Sequence, residues 1–126
     1  MKEIILAFAA APILPILQMT FAPHKMVVCA VPDSDLAETV GALAGAPGYA
    51  RSGAVYSGEA LAEPMLVFCG FSDERMNLAL AAMRKHGVKI PCKAMLTEYN
   101  CAWLPVDLLK ELQEEHAAMA QGKTSR

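Results

Sequence analysis

The sequence has little net charge and no concentration of basic residues. Its 11 Lys and Arg side chains are scattered among 13 Asp and Glu, for a formal net charge of −2. Binding to a nucleic-acid backbone requires a cluster of positive charge that neutralises several phosphates. The composition therefore argues against nucleic acid as a partner.

The sequence also lacks the short spacings of metal and phosphate sites. It contains no CxxC, HxxxH or CxxxH motif, no GxGxxG, and no Lys-Ser/Thr after the glycines of residues 41–48. We therefore expect neither a metal ion nor a cofactor. The cysteines lie in or beside apolar runs, which predicts reduced, packed thiols in a cytoplasmic protein: Cys29, Cys69, Cys92 and Cys101.

The apolar runs are too short to cross a membrane as a helix. The longest covers residues 4–17, whereas a membrane span needs about 20 residues. It resembles a secretory signal, but one Lys cancelled by one Glu precedes it, and Pro12 and Pro15 interrupt it. We interpret it as a strand and a helix, expect residues 1–8 to remain in the mature protein, and expect no membrane partner.

The size and composition suit one small domain with apolar surface to spare. A chain of 126 residues buries a core without disulfides or metal. Hydrophobic residues make up 55% of the chain, more than is usual in a globular protein, and charged residues make up 19%, fewer than is usual. We therefore expect a homo-oligomer.

Two similar β-α-β units are separated by a long connection. The first spans residues 1–31, with a helix from Ile13 that ends before Pro23. A glycine-rich connection follows at residues 32–63, with one short helix for which Asp35 is the expected cap and Glu38 the third helical residue. The second unit spans residues 64–97, and a last helix covers residues 105–120, starting at Pro105.

The two units match weakly in sequence. Residues 3–8 align with residues 63–68, sixty positions later, through a shared Glu, Leu and Phe. Such a duplication predicts an α/β protein, a two-layer sandwich with a four-stranded sheet. We favour a ferredoxin-like strand order, because the short helix of the connection is too weak to cover a sheet face; the alternative is a parallel doubly wound sheet.

Several segments resemble a known family of small bacterial proteins. They are residues 41–48 (GALAGAPG), 65–71 (MLVFCGF), 90–103 (IPCKAMLTEYNCAW) and 109–116 (LKELQEEH). The pattern Lys-Ala-x-Leu-Thr-x-x-Asn-x-x-Trp at residues 93–103 is the most specific part. These segments resemble domain of unknown function 3783. The resemblance implies an ordered N-terminal strand and brings no assigned reaction, cofactor or catalytic residue.

The candidate binding site combines two loops. Residues 70–73 and 97–103 each follow a predicted strand, so both topologies place them at the same end of the sheet. The candidate ligand-binding residues are Gly70, Ser72, Asp73, Thr97, Glu98, Asn100, Cys101 and Trp103. A simpler interpretation of the second loop is that Asn100 satisfies the turn and Trp103 fills the core under the last helix.

The leading functional hypothesis is a non-enzymatic module that binds a small molecule or a protein partner and has no catalytic residue. One alternative is a small enzyme that uses Cys101 or Glu98 in the loop pocket. It has no recognisable base and orienting group. A second alternative is a structural subunit whose apolar surface docks into an assembly.

Overall fold

A computed structural model describes residues 2–120. Met1 and the tail at residues 121–126, for which the sequence predicts fraying, lie outside the described residues. It contains four strands and four α-helices in the order β1 (Ile4–Phe8), α1 (Leu14–Phe21), β2 (Val28–Val31), α2 (Val40–Ala44), β3 (Met65–Cys69), α3 (Asp73–Lys85), β4 (Cys92–Met95) and α4 (Pro105–Ala120). No helix among the described residues is long and apolar enough to cross a membrane.

Local sequence signals account for the helix ends. Pro15 lies in the first turn of α1, where a missing N–H has no partner within the helix to lose. The Ser72 side chain caps α3 by accepting a hydrogen bond from the Arg75 N–H at 3.1 Å. Gly87 follows α3 with φ of 69°, the left-handed conformation in which glycine commonly ends a helix. α1 begins one residue after Ile13 and ends two residues before Pro23, and α4 begins at Pro105.

The sheet has a strand arrangement that the sequence did not indicate. Its order is β2-β1-β3-β4, with β1 parallel to β2, β3 parallel to β4, and β1 antiparallel to β3. A ferredoxin-like sheet separates the two strands of each β-α-β unit, whereas here they are direct neighbours. The parallel alternative is also wrong, because the central pair runs antiparallel. The coarser prediction, a mixed α/β protein with one four-stranded sheet, is confirmed.

Both faces of the sheet are covered, so the two-layer prediction is also wrong. One face packs against α1 and α3 through Leu17, Phe21 and Met83. The other packs against α2, α4 and the connection through Val40, Leu61 and Leu108. The short α2 is too small to cover a face alone, and α4 supplies most of the second layer.

The sequence alignment of the two units is displaced by one residue. It pairs Leu6 with Leu66, but these side chains lie on opposite faces of the sheet, and Phe8 and Phe68 do so as well. A shift of one residue restores the match, because side chains alternate between the faces of a strand. The corrected alignment pairs Ala9 with Gly70, which have φ of 53° and 75°.

Thr39 caps α2 by accepting the Ala42 N–H at 3.2 Å, so the predicted cap at Asp35 is wrong.

The connection is held by a buried carboxylate. Glu38 is 2% exposed and accepts the N–H groups of Ser52 at 2.7 Å and Gly53 at 2.9 Å. It thereby closes the loop that returns the chain toward β3.

Candidate functional site

Residues 97–103 form a tightly hydrogen-bonded turn after β4. Asn100 accepts the Thr97 N–H at 2.8 Å through its side-chain oxygen and donates to the Met95 carbonyl at 3.0 Å. The Thr97 hydroxyl accepts the N–H groups of Tyr99 at 3.2 Å and Asn100 at 3.1 Å. Asn100 therefore holds the turn, as predicted, and the side chain of Tyr99 remains 76% exposed.

Trp103 is not a core residue. Its side chain is 36% exposed, which contradicts the expectation that it fills the space under α4. Its backbone is fixed, because its carbonyl accepts the Val40 N–H at 2.8 Å. The indole lines a groove of about 360 Å³ whose other lining residues are Ala102, Leu104, Asp107 and Glu111.

The two carboxylates in this groove were missed by the sequence reasoning. Asp107 and Glu111 are four residues apart on α4, a spacing that places both side chains on one side of the helix. Both are exposed, and neither takes part in an ion pair among residues 2–120. The spacing was visible in the sequence, but a water-facing helix surface accounts equally well for such a pattern.

Three other predicted site residues line a second cavity. Thr97, Glu98 and Cys101 border a space of about 300 Å³. Its other lining residues are Ala46, Pro47, Tyr49 and Leu96, so the glycine-rich connection and not the loop at residues 70–73 completes it. Burial raises the pKa of the Cys101 thiol.

The remaining three predicted residues lie apart from that cavity. Gly70 directly follows β3 and has the left-handed conformation. Ser72 is the N-cap of α3, and Asp73 is its first residue. This loop leads to the face that carries α1 and α3, whereas residues 97–103 lead to α4 on the other face. The two loops share one end of the sheet and diverge to opposite faces.

The thiols differ in their environments. Cys69, Cys92 and Cys101 are buried, whereas Cys29 on β2 is exposed, contrary to the expectation that it packs inside. Burial raises the pKa of Cys69 to about 12 and also raises that of Cys92. Within residues 2–120, no group of three His, Cys, Asp or Glu side chains is arranged to hold a metal ion.

A further cavity lies at the carboxyl ends of β1 and β2. It measures about 480 Å³ and is lined mainly by small apolar residues: Ala7, Ala9, Ala10, Ala11, Leu14, Ala30, Val31, Pro32 and Asp33. It contains none of the predicted site residues. Its walls offer one carboxylate and otherwise little polar chemistry.

Comparison with known families finds a match for the second half of the chain. Residues 64–119 match the family model described as domain of unknown function (DUF3783). This part of the chain belongs to the DUF3783 family. The DUF3783 segment covers β3, α3, β4 and α4 up to its penultimate residue, and therefore the whole Trp103 groove. No curated protein and no solved structure matches the chain.

Proposed function

We propose that this DUF3783 protein is a non-enzymatic binding module that recognises a cationic group, such as an arginine or lysine side chain of a protein partner, in the Trp103 groove. The observation that carries the proposal is the half-exposed indole beside Asp107 and Glu111. An aromatic face attracts a cation through its quadrupole, and arginine is the commonest protein partner in such contacts.

The composition of α4 supports a cationic ligand. Its residues 105–120 contain Asp107, Glu111, Glu114 and Glu115 against one lysine, Lys110, and no arginine. Two carboxylates in one groove disfavour an anion and hold a guanidinium or ammonium group near the indole. The hydrogen-bonded turn at residues 97–100 and the Val40–Trp103 hydrogen bond hold the backbone of Trp103 in place, which lowers the entropic cost of binding.

The proposed setting is the bacterial cytoplasm, with the protein acting as a homo-oligomer. The enzymatic alternative is less well supported, because a nucleophilic cysteine needs a lowered pKa and burial raises that of Cys101. The structural-subunit alternative requires an apolar docking surface, and the Trp103 groove, with its two carboxylates, is not such a surface.

A titration with a short arginine-rich peptide, followed by Trp103 emission, tests this proposal. Trp103 is the only tryptophan, so the signal reports on the groove directly. We expect saturable binding that weakens with added salt. The double variant Asp107→Asn/Glu111→Gln should weaken it about tenfold or more, which corresponds to about 1.4 kcal/mol.

The matched control is Val106→Ala, which changes an exposed residue of the same helix that lies outside the groove. Calorimetric titration of Trp103→Ala should show no binding. Because the indole is partly exposed, this variant should lose only about 2 kcal/mol of stability, less than a fully buried tryptophan. Equal affinity for the control and the double variant would rule out the groove as the site.

A further inference from the structure

One edge of the sheet is open for pairing with another strand. β2 is an edge strand, and the Ile5 N–H donates to the Val27 carbonyl at 2.8 Å. The backbone N–H and C=O groups of successive residues point to alternate sides of a strand in a parallel pair. Because the Val27 carbonyl points toward β1, the N–H and C=O groups of Val28 and Ala30 point away from it. Among residues 2–120 no other element forms a hydrogen bond with these outward groups.

Within the strand itself, β2 carries no charged residue and no proline, two features that block strand addition. Residues 26–31 are uncharged, Cys29 and Ala30 are exposed, and Val27 is 53% exposed. The opposite edge, β4, carries Lys93, whose Nζ donates to the Ile90 carbonyl at 2.7 Å. A lysine on an edge strand disfavours the addition of another strand, and β2 has no equivalent.

We propose that β2 pairs antiparallel with β2 of a second copy of this chain, to form a continuous eight-stranded sheet with a twofold axis at Cys29. The inference rests on the proposed self-association and not on the Trp103 groove, which contains no residue of β2. An antiparallel pair of identical strands is self-complementary, as a closed dimer requires.

The free backbone groups select this register. With Cys29 on the axis, Val28 lies opposite Ala30 of the second copy and the two exchange both of their outward hydrogen bonds. An axis at Ala30 would place Val28 opposite Pro32, which has no N–H. An axis at Val28 would place Ala30 opposite Met26, whose N–H already donates to the Phe21 carbonyl at 3.2 Å.

The charges that flank the strand agree with the same register. Lys25 precedes the strand and Asp33 follows it, and both are exposed. With the axis at Cys29, the strand end that follows Lys25 in each copy lies beside the strand end that precedes Asp33 in the other. This arrangement brings opposite charges near each other, whereas a parallel pairing of the same strands would bring like charges together.

The oligomeric state tests the edge. Because the strand is short, we expect a weak dimer, so sedimentation velocity is measured over a range of protein concentrations into the high micromolar. Ala30→Pro removes one outward N–H and leaves the ladder to β1 intact, and it should make the protein monomeric. Ala30→Lys provides a second variant for the same test if Ala30→Pro fails to fold.

The control is Ala81→Lys, which adds the same charge at an exposed position of α3 and should leave the dimer unchanged. A wild-type protein that is monomeric at every concentration would overturn both self-association and this interface. A dimer that persists in the folded Ala30 variants would overturn the interface and leave self-association standing.

Oxidative cross-linking tests the register. Residues on a non-hydrogen-bonded antiparallel site have Cα atoms about 4.5 Å apart, within the range that a disulfide spans. Diamide should therefore join two Cys29 side chains, as each thiol loses a proton and an electron and diamide is reduced to the hydrazine. We expect a covalent dimer on a non-reducing gel, lost in Cys29→Ser and retained in Cys101→Ser. A dimer that diamide does not cross-link through Cys29 would overturn the Cys29-centred register.

Discussion

At the scale of single residues, Glu38 joins two distant parts of the connection. Residues 45–64, between α2 and β3, contain no further helix or strand. The Glu38 carboxylate is buried and accepts two N–H groups from residues 52 and 53. These N–H groups, that of Ser52 foremost, lower the pKa of Glu38 below its ordinary value.

We predict that Glu38→Gln lowers the melting temperature near neutral pH. The amide keeps the shape of the side chain, but its NH₂ group cannot accept a hydrogen bond, so one of the two backbone N–H groups loses its acceptor. Because the pKa is lowered in the folded state, the carboxylate contributes stability above its unfolded pKa, and that contribution is lost as the pH falls through the folded pKa.

Thermal unfolding between pH 7 and pH 3 measures this. The difference in melting temperature between wild type and Glu38→Gln should be largest at neutral pH and shrink on acidification. Glu59→Gln, at an exposed position of the same connection, provides the control and should follow the wild type. A difference that stays constant with pH would show that the ionised form of Glu38 contributes nothing.

At the scale of elements, α2 packs directly against the turn after β4. A Cβ added to Gly41 would lie 2.8 Å from the Cys101 carbonyl oxygen and 3.0 Å from Cγ of Tyr49. The absent side chain thus lets a helix of the connection sit directly against the backbone of residues 100–102. The same contact supports Trp103, through its hydrogen bond with Val40.

Gly41→Ala should destabilise the protein by about 1–3 kcal/mol, as overpacking of a close contact does. The nearest atom belongs to the backbone, so it cannot move aside as a flexible side chain would. The double variant with Tyr49→Ala removes one of the close contacts but not the Cys101 carbonyl, and most of the additional cost of Gly41→Ala should therefore persist. Urea unfolding measures both, and full compensation by Tyr49→Ala would identify the ring as the only obstacle.

At the scale of the whole molecule, the two β-α-β units are related by an approximate twofold axis through the β1–β3 pair. The antiparallel pairing of these strands and the position of α1 and α3 on one face both follow from it. The exits from the two helices also match. The Met26 N–H donates to the Phe21 carbonyl at 3.2 Å, and the Val88 N–H to the Met83 carbonyl at 2.9 Å.

This duplication predicts that substitutions at two equivalent positions change the free energy of unfolding in opposite directions. Lys25 and Gly87 occupy the left-handed conformation after α1 and α3, with φ of 58° and 69°. Lys25→Gly should stabilise the protein by about 0.5–1 kcal/mol, because glycine relieves the strain of a side chain in that region. Gly87→Ala meets no atom within 4 Å, so its cost of about 1 kcal/mol is conformational. Chemical denaturation of both variants tests the pair, and a destabilising Lys25→Gly would contradict it.

The sequence by itself determined the local elements of this protein. Pro15 and Pro23 delimit α1, Ser72 and Gly87 delimit α3, and Pro105 begins α4, because these residues act on the backbone of their own turn. The Asn100 turn was predictable for the same reason. The DUF3783 resemblance was also carried by local patterns and is confirmed over residues 64–119.

Only the tertiary structure decided how these elements combine. Pairing between β1 and β3 joins residues far apart in sequence, and an apolar strand is equally compatible with parallel and antiparallel neighbours. Because side chains alternate between the two faces of the sheet, the structural repeat of the two units is displaced by one residue from the repeat seen in the sequence. The exposure of Trp103 likewise depends on where α4 packs, and that of Cys29 depends on the position of β2 at the edge of the sheet. Burial is a property of the neighbours of a side chain, and those neighbours come from distant parts of the chain.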